Sequence, residues 1–96
     1  MGLPRHAAKS DANQPDIVKA LRKAGWTVTV LRWPVDLLCD KHGVVRLLEV
    51  KEPTGKRAPK PRLDKRQVEQ AEFCARTRTP YVTTAEEALR ALGEIL

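Results

Sequence analysis

Asp36, Glu49 and Lys51 are the residues of this 96-residue chain whose types and spacing point to chemistry. They lie in Pro34-Val35-Asp36-Leu37-Leu38 and Leu47-Leu48-Glu49-Val50-Lys51, with twelve residues between the two acids. Glu49 and Lys51 are two apart, so on a strand they point to the same side. Between the two segments stands His42-Gly43, which reads as a two-residue hairpin turn with Gly supplying positive φ. With that turn Lys41 opposes Val44 and Asp36 opposes Glu49, and opposed residues of a hairpin share a face. A slip of one residue would send Asp36 to the other face unless a bulge restored the phase.

Val44, Leu48 and Val50 fall on one side of the second strand of this hairpin, and Val45 and Leu47 on the other. That pattern predicts a central strand covered on both faces. Glu49 and Lys51 interrupt one apolar face near its end. Two opposed carboxylates repel and are costly to bury unless a cation joins them. A hard divalent ion, Mg²⁺ or Mn²⁺, suits two carboxylates, and the backbone carbonyl of Val50 is a candidate further ligand. Such an ion polarises a phosphate and acidifies a coordinated water. Lys51 would then orient or help deprotonate that water, or stabilise the negative charge of the transition state. The chemistry expected is metal-dependent phosphodiester hydrolysis.

The composition agrees with a polyanionic substrate. Lys and Arg outnumber Asp and Glu by 18 to 12, a formal net charge of +6. An excess of this size on a small domain favours DNA or RNA, whose phosphates release counterions on contact with Lys and Arg. No long apolar run and no amphipathic helix with a dominant basic face is present, which argues against a membrane partner. The opening residues lack the apolar stretch of a secretory signal. Cys39 and Cys74 read as reduced, partly buried thiols, and a cytoplasmic location is the expectation.

The elements that must position the site can be read along the chain. Residues 1–12 form a basic arm and residues 1–96 a single domain. Asn13 caps a first helix, with Pro15 in its first turn and Gly25 at its end. Strands are expected at 27–32, 35–41 and 44–51. Residues 52–63, with three of the seven prolines, make an exposed basic loop. Lys56, Arg57, Lys60 and Arg62 in that loop, with Lys65 and Arg66 behind it, are the candidate phosphate contacts. Asp64 caps a helix to about Thr77 with apolar contacts from Val68, Ala71, Phe73 and Ala75. Residues 80–83 form a short strand, and Thr84 to Glu87 open a last helix with Ala88, Leu89, Leu92 and Ile95 on its apolar side. The order α-β-β-β-α-β-α predicts an α/β fold. Its mixed sheet is led by an antiparallel three-stranded meander, and the fourth strand joins beside the Glu49 strand after a helical crossover.

These pieces together resemble the PD-(D/E)XK nuclease superfamily, in particular the small VRR-NUC-type, Holliday-junction-resolvase-like nucleases of phages and prophages. The resemblance is carried by Asp11-Ala12-Asn13-Gln14, Val35-Asp36-Leu37-Leu38, Leu47-Leu48-Glu49-Val50-Lys51, Leu63 with Gln67, and Glu86-Glu87-Ala88-Leu89. It spans roughly residues 9–93. It implies a restriction-endonuclease-like core, a DNA endonuclease acting in a bacterial or phage-infected cell, a branched or four-way-junction substrate, and metal ligation by Asp36 and Glu49 with Lys51 catalytic. It also implies a site-positioning role for Gln67. The family's pattern has Pro directly before the Asp, whereas Val35 intervenes here. It often has an acid on the first helix near the metal, where this chain has Gln14, with Asp16 the nearest acidic substitute. A homodimer would let two sites cut two strands. The alternative is a catalytically inactive nucleic-acid-binding module of the same fold.

Overall fold

The computed structural model describes residues 12–52 and 64–95. The expected arm at the start and the loop residues Lys56, Arg57, Lys60, Arg62 and Leu63 lie outside the described residues. The elements are α1 (Gln14–Lys23), β1 (Thr27–Val30), β2 (Leu37–Lys41), β3 (Val44–Val50), α2 (Lys65–Thr77), β4 (Tyr81–Val82) and α3 (Ala85–Ala91). They build an α/β domain around a mixed four-stranded sheet of order β1-β2-β3-β4. The first three strands are antiparallel, and β4 runs parallel to β3. No helix among the described residues is long and apolar enough to cross a membrane.

The core lies on one face of the sheet. Ile17, Val18 and Leu21 of α1 meet Val28, Leu37, Cys39, Leu48, Val50 and Val82 of the strands and Ala88 of α3. Ile17, Leu21, Leu37 and Leu48 are fully buried, each contributing about 2 kcal/mol of apolar burial. Trp26 is buried beside them, and its indole N–H donates to Glu94 Oε2 at 2.7 Å. The Lys41 ammonium reaches the same oxygen at 2.9 Å. These two bonds hold the Glu94 carboxyl below the usual range and tie the segment after α3 to the sheet.

The opposite face is more open. It carries Thr27, Thr29, Leu38, Val45, Leu47 and Glu49 by the strand registers. Val45 is 54% exposed, so β3 is not covered on both faces along its length as its apolar pattern suggests. The C-terminal end of α2 leaves an open cleft over this part of the strand, lined by Val45, Arg46, Leu47, Thr77 and Arg78. Gln70 and Cys74 of α2 have their partners, Pro34 and Tyr81, at the Glu49 end, while Val44, Val45 and Arg46 are exposed.

Several boundaries differ from the sequence reading. The first two strands are shorter than expected, because the Leu31 N–H already donates to the Asp36 carbonyl at 2.7 Å and closes a bent connection between them, in which the Trp33–Pro34 bond is cis. The buried side chain of α2 is Cys74, with Gln67, Gln70 and Phe73 half-buried, while Val68, Ala71 and Ala75 are exposed. The inward stripe of this helix therefore mixes two glutamines with Phe73 and Cys74. Ile95 lies beyond α3, which ends in a turn with Gly93 at φ 81°. Asn13 occupies the N-cap position of α1 but makes no side-chain cap; its amide is used elsewhere, as described below.

The β2–β3 turn is the one expected. His42 and Gly43 have φ of 52° and 82°, the two positive values of a type I′ turn, and Lys41 pairs with Val44 across it. Gly43→Ala places a Cβ on a left-handed residue in open space. It is expected to lower the unfolding free energy by about 1 kcal/mol in urea denaturation; an unchanged midpoint would contradict the turn geometry.

Candidate active site

The register set by the His42-Gly43 turn continues along the hairpin to Leu37 opposite Leu48. The next step brings Asp36 against Glu49. The contact is direct and reciprocal. The Asp36 backbone N–H donates to Glu49 Oε1 at 3.1 Å, and the Val50 N–H donates to Asp36 Oδ2 at 2.8 Å. The two carboxyl groups are close enough for the charge of Asp36 to act on Glu49. Glu49 is buried, Asp36 half-buried and Lys51 exposed.

Burial, and then the negative charge of Asp36, push the Glu49 carboxyl up to about 7; Lys51 pulls the other way. A carboxyl so placed keeps a proton well above its ordinary range. On the strand, the N–H and C=O of one residue leave on the same edge. Because the Val50 N–H points at Asp36, the Val50 carbonyl leaves toward that side too. The donors gathered here are all oxygens, two carboxyls and a carbonyl. This set fits a hard divalent ion that keeps several waters. Among the described residues, no group of three or more His, Cys, Asp and Glu side chains forms a fuller cage.

The parallel strand completes the corner. Tyr81 of β4 is paired with Glu49, so its side chain rises from the same face. The Lys51 ammonium sits 4.9 Å from the centre of the Tyr81 ring, an arrangement that steadies a flexible side chain by cation–π attraction. The Tyr81 hydroxyl turns in to the Cys74 thiol of α2 and is pushed up to about 12 by desolvation and by that thiol. Burial likewise raises Cys74, against the pull of the Tyr81 bond. Neither residue was singled out from sequence as part of the site. Their signal was the parallel pairing of β4, which places position 81 beside position 49.

Asn13 is a third residue whose role lay hidden. Its Nδ2 donates to the Lys51 carbonyl at 3.0 Å and to the Thr83 carbonyl. It thus ties the start of α1 to the ends of β3 and β4, and its helical backbone (φ −84°, ψ −9°) lacks the extended conformation from which a side-chain oxygen caps a helix. Its Oδ1 is buried without a partner among the described residues.

The other residues expected at the site fall as follows. Gln67 forms a capping box with Asp64, its Oε1 accepting from the Asp64 N–H at 3.0 Å. Gln70, one turn further on, reaches the Pro34 carbonyl at 3.0 Å. Gln14 is buried at the start of α1, and Asp16 is exposed in its first turn. No hydrogen bond joins either of them to Asp36 or Glu49 among the described residues. Lys65 and Arg66 are exposed at the start of α2. Compared with known proteins, the chain matches no family model, no curated protein and no solved structure.

The Glu49 carboxyl gives a signed prediction for the metal-free protein. Its folded pKa lies above its unfolded one, so the folded state binds more protons between about 4.5 and 7. Stability is therefore lost as pH rises through that window, up to a ceiling of about 3 kcal/mol. Glu49→Gln removes the ionisation. In chelator, it is expected to be more stable than the parent at pH 8, with the advantage gone near pH 4; denaturant midpoints that track together at both pH values would refute this.

Proposed function

We propose that this chain is a divalent-metal-dependent endonuclease of the PD-(D/E)XK kind, with a restriction-endonuclease-like core, that hydrolyses phosphodiester bonds in branched DNA. The observation that carries the reading is the meeting of the Asp36 and Glu49 carboxyls beside Lys51 at one corner of the sheet. Side by side and partly buried, they favour a shared proton or a shared cation over two free charges. Mg²⁺ or Mn²⁺ bound there would supply polarisation of the scissile phosphate and acidification of water.

The chain's own groups have distinct tasks in this reading. Asp36 and Glu49 hold the ion, with the Val50 carbonyl on the same side as a further donor. Lys51, steadied over Tyr81, offers an ammonium to the attacking water or to the charge that builds on phosphate oxygens. Lys65 and Arg66, with the sequence-adjacent Lys56, Arg57, Lys60 and Arg62, hold the backbone. Two copies about a two-fold axis would cut two strands.

The test is incubation of purified protein with linear, flapped and four-way DNA in Mg²⁺ or Mn²⁺. Cutting is expected, and Asp36→Asn or Lys51→Ala should slow it by about 100-fold or more. Binding without cutting in either metal would instead mark an inactive nucleic-acid-binding module. Metal binding has its own readout. At tenfold excess over its Kd an ion stabilises the folded state by about 1.4 kcal/mol, so the parent's Tm should rise by about 6 °C. The same ion should leave Asp36→Asn unmoved, and equal shifts in both proteins would refute ligation by Asp36.

A further inference from the structure

Trp33 is 38% exposed, three residues before Asp36 in the connection between β1 and β2. The guanidinium of Arg66, in the first turn of α2, lies 4.2 Å from the centre of its ring. That distance is a face contact between a planar cation and an indole. Two features fix it. The Gln70 amide donates to the carbonyl of Pro34, the residue after Trp33, and so holds α2 against this connection. The Asp64–Gln67 capping box sets the helix start on which Arg66 stands.

A bland surface pair would leave the cation neutralised or the ring shielded. Among the described residues no carboxylate lies within ion-pair distance of Arg66, and more than a third of Trp33 stays open to solvent. The pair therefore offers three things at once. These are an aromatic face, the outer plane of a guanidinium, and N–H donors free for a phosphate. Unpaired bases stack on both kinds of surface, whatever their sequence. The bases of an intact duplex are already stacked on one another and have no free face.

We infer that Trp33 and Arg66 form a stacking platform for an unpaired nucleotide of the substrate, beside the phosphate that an ion on Asp36 and Glu49 would hold. This rests on the nuclease reading and narrows it. Three residues of chain span at most about 11 Å, so one strand can lie on the platform and at the carboxyl pair together. The substrate class it selects is DNA with a single-stranded nucleotide next to the cut, as at a flap, a fork or an opened junction.

The experiment is binding in chelator, so that no cleavage is needed, to a blunt duplex and to the same duplex carrying a short single-stranded flap. The parent should bind the flapped form more tightly. Trp33→Ala should weaken flap binding by about tenfold and blunt-duplex binding by less than about twofold. Trp33→Phe should retain most of the flap preference. Arg66→Ala should weaken both forms and the flapped form more. Trp33→Phe and Arg66→Ala leave every buried residue in place, so they decide the matter should Trp33→Ala unfold. Equal affinity of the parent for the two DNAs, or equal loss on both in Trp33→Ala, overturns the platform and leaves the nuclease reading standing. A flap preference in a protein that never cuts does the reverse.

Discussion

The hairpin register between β2 and β3 forces two carboxyl groups together that would separate in free solution. Two like charges in contact at a protein surface repel by several times the thermal energy. Keeping a proton on an ordinary carboxyl at neutral pH costs about 3 kcal/mol. Burial, and after it the negative charge of Asp36, offset most of that cost, which is why Glu49 is pushed up to about 7. The fold holds this unfavourable pair because the hairpin, its turn and the buried Leu37–Leu48 step behind it leave no other register. A group that binds both oxygens at once relieves the strain, and the donor set favours a hard cation.

Much of this was legible in the sequence, because the rules involved are local. The turn residues His42 and Gly43 fixed the parity, and parity alone set Asp36 against Glu49. The parallel placement of β4 beside β3 followed from the helix between them. What could not be read depended on contacts between distant segments. Asn13 sits where a cap residue belongs, yet its amide serves the carbonyls of Lys51 and Thr83. Tyr81 and Cys74 enter the site only through the packing of β4 and α2.

The second helix shows why apolar periodicity misled. Val68, Ala71 and Ala75 join Lys65, Arg66, Glu69, Glu72 and Arg76 on its exposed side, and its inward stripe carries Gln67, Gln70, Phe73 and Cys74. Positions 67, 70, 73 and 74 recur at the three- and four-residue spacing of one helix face, and that face, rather than the one through Val68 and Ala71, is turned inward. The same helix brings Arg66 over Trp33 and Gln70 to Pro34. One face of the sheet is thus given to folding, and the other holds the carboxyl pair, the Lys51–Tyr81 contact and the Trp33–Arg66 stack.

Anomalous diffraction from crystals grown with Mn²⁺ puts this account at most direct risk. The account predicts one strong peak between positions 36 and 49, at about 2.1 Å from a carboxyl oxygen of each, a distance typical of small hard ions on oxygen. A peak elsewhere with both carboxyls left bare, or an Asp36 side chain on the far side of the sheet from Glu49, would contradict it.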